Sequence, residues 1–218
     1  MNLEIWLPKL IEDTLVTLYM VGVSAFFTVI LGLPLGVVLV TSDKKGLRPL
    51  PLLNQTLGIL VNIGRSLPFI ILLILIIPFT RALVGTTIGP TAAIVPLTLA
   101  AVPFFARVVE SGIREVDHGL VDAAKAMGCT NWQIVSKVLI PEAKSSLILG
   151  VALTIISLVS YSAMAGVIGG GGLGDLAIRY GYQRREDTVM FATVILLIVI
   201  VQGVQLLGSW LAAKASKR

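Results

Sequence analysis

Few residues in this 218-residue chain are of a type that makes or breaks bonds. It has one histidine, His118, and one cysteine, Cys129. A metal centre needs several such ligands at set spacing, and a nucleophile needs a base beside it. A lone His and a lone Cys supply neither, and one Cys excludes a disulfide scaffold. The 12 acidic residues fall in polar connections or at the ends of apolar stretches. Ion-coupled carriers, by contrast, place Asp, Glu or His within their spans. Gly169, Gly171 and Gly174 match a dinucleotide fingerprint, but the run follows an apolar helix-length stretch and not a strand, so the required context is missing. No GxxxxGK[ST] phosphate loop occurs. The expectation is a chain with no catalytic residue, no metal and no cofactor of its own.

The remaining polar and soft residues in apolar surroundings suit bracing or a pathway wall. Arg65 interrupts an apolar stretch, where a charge costs roughly 2.5–3.5 kcal/mol on insertion scales. It either snorkels to the headgroups or faces inward as a brace. Pro68, three residues on, frees a backbone carbonyl that needs a donor, which favours the brace. Tyr161, Ser162 and Met164 fall in the middle of another apolar stretch. Ordinary packing explains them, yet a soft thioether at Met164 also suits a constriction passing an apolar, sulfur-bearing side chain.

These residues must be positioned by membrane helices. Hydrophobic residues make up 56% of the chain and charged residues 13%, about half the soluble share, and the mean hydropathy is +0.95. Charge-free runs cover 14–42, 82–106, 145–174 and 188–213. Each exceeds the roughly 20 residues that cross the hydrocarbon core. A fifth span includes Arg65. The spans are expected near 15–41, 57–78, 88–109, 146–170 and 188–212. Gly32 and Gly36 form a small-xxx-small pair around Pro34, which predicts a close helix crossing. The fold class is an all-α integral membrane protein forming a single transmembrane unit over 1–218.

The net charge of +5 reports topology here and not nucleic-acid binding. Loop 42–56, loop 107–145 and the tail together carry Lys44, Lys45, Arg48, Arg107, Arg114, Lys125, Lys137, Lys144, Lys214, Lys217 and Arg218. The opposite side carries Lys9, Arg81, Arg179, Arg184 and Arg185. The richer side should be cytoplasmic, which puts the N-terminus outside and the C-terminus inside. The first apolar stretch lacks a basic leader and a small-residue cleavage site, and is expected to stay as a helix.

The loop 110–145 holds the most specific pattern. Asp117 suits an N-cap for a helix over 118–127, and Gly128 suits the position after its end. Thr130 and Gln133 have capping-box spacing for a second helix over 131–140, which Pro141 ends or kinks. Leu120, Ala123, Ala124 and Met127 share one face of the first helix. Trp132, Val135, Val138 and Leu139 form a stripe on the second. From periodicity alone, this is equally a loop packed on its own bundle.

The full spacing, Asp122-Ala123-Ala124, Gly128, then Val138-Leu139-Ile140-Pro141, closely resembles the "EAA" loop of binding-protein-dependent ABC importer permeases. Asp stands for Glu, Val for Ile and Ile for Leu. Arg65-Ser66-Leu67-Pro68-Phe69 resembles the second-span signature of amino-acid permeases in that family. The stretches 77–81, 93–98, 161–164, 181–182 and 187–190 resemble its methionine-importing branch. The resemblance covers nearly the whole chain. It implies a type I importer permease bundle in the bacterial inner membrane, working by alternating access. Its implied partners are a second copy of the chain, two cytoplasmic ATPases carrying ATP and Mg, and an extracytoplasmic methionine-binding protein, with no nucleic acid. Asp122, Ala123, Ala124, Met127, Gly128, Val138, Ile140 and Pro141 would then couple to the ATPase. The alternatives are a permease for another amino acid or small peptide, or an ATPase-independent channel or secondary transporter.

Overall fold

The computed structural model describes residues 3–216. Lys217 and Arg218 of the charge count lie outside them. The regular elements among the described residues are all helical, without strands. The long helices are α1 (Leu3–Thr41), α5 (Pro90–Arg114), α9 (Lys144–Val167) and α11 (Asp187–Ser216). The short ones are α2 (Pro51–Ser66), α3 (Phe69–Leu75), α4 (Ile77–Val84), α6 (His118–Ala126), α7 (Asn131–Ile134), α8 (Ile140–Glu142) and α10 (Gly172–Leu176).

Among the described residues four helices are long and apolar enough to cross a membrane, and the bent pair α2–α3 makes five if the two count as one span. That pair corrects the continuous helix expected over 57–78. α2 and α3 meet at 105°. Leu67 precedes Pro68 and is extended, at φ −80° and ψ 124°, because the proline ring crowds the helical conformation of the residue before it. Pro68 then caps α3, its carbonyl accepting from the amides of Ile71 and Leu72. Other boundaries move both ways: α1 begins at Leu3 and α5 continues to Arg114, whereas α5 starts at Pro90 and α9 ends at Val167, inside the expected limits. Arg107 and Glu110, expected in a loop, therefore belong to a helix.

α5 is the central helix: 56% of its span window is buried, against 11% for α11, which lies at the periphery. α1 crosses α5 closely, as the glycine pair predicts. A Cβ on Gly32 would meet Phe105, and one on Gly36 would meet Ala106 and Val109. α2 approaches the same helix where Gly64 faces Pro103. One apolar core joins Met20, Leu97 and Leu158. A second core, around Phe105, Val109 and Ile113, takes in the segment after α5.

The glycine run is tightly held. Gly169, Gly171 and Gly172 have φ of +90°, +77° and +79°, backbone that residues with a Cβ rarely adopt. The Gly169 carbonyl accepts from Gly89 at the start of α5 (2.9 Å). Leu173 donates its amide to the buried Thr17 hydroxyl of α1 at 2.9 Å. Gly166 and Gly174 bring α9 and α10 into backbone contact.

Candidate functional site

The segment between α5 and α9 is built from local signals. The Asp117 side chain accepts from Gly119 N–H and starts α6. Gly128, at φ +76°, turns the chain after it, and Cys129 N–H reaches back to the Ala124 carbonyl at 3.1 Å. Thr130 and Gln133 form the capping box at 3.3 and 2.8 Å. α7 then widens into a π turn over Val135–Leu139 before α8. A wider turn relieves the clash that Pro141 would impose on a regular helix. Pro141 therefore does not end the helical path, which runs on through α8 into α9, and this corrects one of the two expected outcomes.

The faces also differ from the expected stripe. Ala124 is buried, with Val121, Ile134, Val135 and Leu139, in the core of α5. Leu120, Ala123 and Met127 are exposed, as is Trp132. Val138 and Ile140 are half-buried against the same core. Alanines are too small to mark a face, so the larger Val121 and Ile134 set it. The outward side therefore shows an apolar group of Leu120, Met127 and Trp132 beside the exposed Asp122, which pairs with Lys125 at 3.6 Å. Asn131 donates to the Leu47 carbonyl at 3.4 Å and links this segment to the loop after α1.

An ionic network beneath it escapes sequence reasoning. Arg107, Glu110 and Arg114 share one face of α5. Glu110 is buried and accepts from Arg107 at 2.5 Å and from Arg114 at 2.9 Å. Arg107 also donates to Asn62 Oδ1 (2.8 Å) and the Gly58 carbonyl (3.2 Å) on α2. Arg114 also pairs with Asp43 at 2.8 Å. That hydrogen bond, with the Lys44 amide, holds the Asp43 carboxyl below its usual range. The spacing i, i+3, i+7 is a legible signal once α5 is extended past 109.

The candidate path residues separate. The Tyr161 ring stacks on Phe69 of α3, with centroids 4.9 Å apart and planes 8° from parallel. Met164 is exposed on the outer side of α9 and lines a crevice with Gln202 of α11. Ser162 is buried and donates to the Val159 carbonyl of its own helix at 2.8 Å. It faces the core of the chain, about 100° round the helix from Tyr161. The expectation for Arg65 is corrected. It is exposed at the end of α2 and makes no ion pair or side-chain hydrogen bond among the described residues. The carbonyl of Pro68 takes backbone donors from Ile71 and Leu72 of α3 instead.

Three comparisons bear on this arrangement. The sequence profile of the family described as binding-protein-dependent transport system inner membrane component matches residues 28–217. Among relatives, the probable D-methionine transport system permease protein MetI of Vibrio cholerae serotype O1 is 53% identical over 209 residues. That match covers 96% of this chain and 93% of the relative. The methionine import system permease protein MetP of Bacillus subtilis is 45% identical over 165 residues, covering 76% and 74%. The fold superposes with a TM-score of 0.95 on a chain from the native crystal form of the MetNI methionine ABC transporter, described as inward facing. There the identity is 45% and 99% of each chain is covered.

Proposed function

Because this chain belongs to the family of binding-protein-dependent transport system inner membrane components, we propose that it is the permease subunit of an ATP-driven importer carrying methionine across the bacterial inner membrane. It works as one transmembrane unit and catalyses no reaction. A partner ATPase binds ATP and Mg and hydrolyses ATP. Two copies of the chain, two ATPases and an extracytoplasmic methionine-binding protein form the working assembly.

One observation carries this reading: the capped α6–α7 segment lies beyond the spans and leaves Leu120, Ala123, Met127 and Trp132 exposed while its opposite face packs on α5. An apolar, rimmed surface of this kind fits a groove on a cytoplasmic partner. Asp122 sits on its polar edge. Ala124 and Gly128 fix its shape, and Val138, Ile140 and Pro141 connect it to α9. In the transport cycle, closure of the ATPase pair displaces this segment, and α5 and α9 carry the movement into the bundle. The candidate path residues are Tyr161, stacked on Phe69 of α3, and Met164, whose polarizable thioether lies in the crevice beside α11.

Co-reconstitution with the matching ATPase and binding protein tests the reading. The expected result is methionine uptake that requires ATP, together with recovery of the ATPase on the tagged chain. Uptake that persists without ATP would favour a channel or secondary transporter.

A further inference from the structure

Glu110 is a buried carboxylate to which the transport reading assigns no role. It sits between two guanidiniums, and each of those reaches a different element. Through Arg107 it holds Gly58 and Asn62 of α2. Through Arg114 it holds Asp43, just past the end of α1. α2 and the loop after α1 are thus fastened to the end of α5 through one residue. The same end of α5 carries Val109 and Ile113, which pack against Val121, Ala124 and Ile134 of the segment after it. At its far end α2 turns into α3, whose Phe69 stacks on Tyr161.

The chain of contacts therefore runs from the exposed segment through α5 and Glu110 to the bent span and the candidate path. A buried carboxylate with two charged partners has few alternative arrangements, because leaving the carboxylate itself unpaired is costly. Such a group moves its partners together. We propose that Glu110 is a positioning residue for transport: it makes α2 follow α5, so that displacement of the α6–α7 segment reaches the Phe69–Tyr161 contact. This rests on the importer reading, and it adds which residue links the coupling segment to the bent span.

The test uses the complete reconstituted importer and compares Glu110→Gln, which keeps shape and removes charge, with Glu110→Asp, which keeps charge. Uptake and ATP hydrolysis are measured in the same vesicles, with ATPase co-purification and melting of each complex. For Glu110→Gln, methionine moved per ATP should fall about fivefold or more, the low end of ordinary coupling between sites, while ATPase recovery stays at the wild-type level. Glu110→Asp should regain most of the ratio. An unchanged ratio in Glu110→Gln would overturn the proposal. So would equal losses in both variants that track a loss of assembled complex, since that pattern marks a purely structural role. Failure of the importer reading looks different: the wild-type chain itself would show no ATP-dependent uptake and would recover no ATPase.

Discussion

At Gly128, φ is +76° and a Cβ would meet no atom within 4 Å, so any penalty for replacing it is conformational and not steric. The left-handed region costs a residue with a Cβ about 1–2 kcal/mol, more for a branched one. Gly128→Val should therefore lower the melting midpoint in detergent and weaken ATPase recovery, whereas Gly128→Asn, which tolerates this region, should stay near the wild type. Equal effects would mean the angle is unimportant. Asp43 gives a second residue-scale test. Its folded pKa lies below its unfolded value because Arg114 and the Lys44 amide stabilise the carboxylate. That contribution is fully present above the unfolded pKa, about 3.9, and is lost as pH falls through the folded value. Wild type and Asp43→Asn should differ slightly in melting midpoint near pH 7, since the pair is partly exposed, and the gap should close below about pH 4. A gap unchanged by acid would detach it from the ion pair. The Asp117 cap, the Thr130–Gln133 box and the Gly128 turn are legible in the sequence because each is decided within four residues. Glu110 is not, because its meaning depends on α2 and the loop after α1, brought to it by tertiary packing.

Elements carry the next contrast, between two adjacent alanines. Ala124 packs into the core under α5, while Ala123, about 100° round α6, is exposed. Ala124→Leu should destabilise the protein through overpacking, by about 1–3 kcal/mol. Ala123→Leu should leave melting unchanged and disturb only recovery of the ATPase. If both variants melt alike, the two alanines do not differ in burial as described. Sequence periodicity groups them on one stripe because the i, i+3, i+4, i+7 pattern counts both as apolar, and small side chains weight neither direction. The long helices α1, α5, α9 and α11 are legible as charge-free apolar runs. The bend in the second span is half legible: Leu67-Pro68 signals a helix boundary, but the apolar run that follows conceals it, and only packing fixes an angle of 105°. The π turn before Pro141 leaves no mark in composition, since it answers a clash that either a kink or a helix end would also relieve.

At the scale of the whole molecule, charge asymmetry predicts orientation. In a Cys129→Ser background, cysteine at Lys45 should resist impermeant thiol reagents in intact cells, and cysteine at Arg185 should be labelled; both native residues are exposed. The reverse pattern would invert the topology argued from basic residues. The outer tie between Leu173 and Thr17 joins positions 156 residues apart, and this separation imposes an order in time. α1 leaves the ribosome first, yet its Thr17 hydroxyl gains its partner only after the fourth span and the glycine loop have been synthesised. At a usual synthesis rate of about 5–20 residues per second, the first helix waits several seconds or more in the bilayer with that contact unmade. Completion of the bundle is thus a late event in the life of each new chain. Until then, the amide that answers Thr17 does not yet exist, and nothing downstream holds the outer turn of the first helix in register.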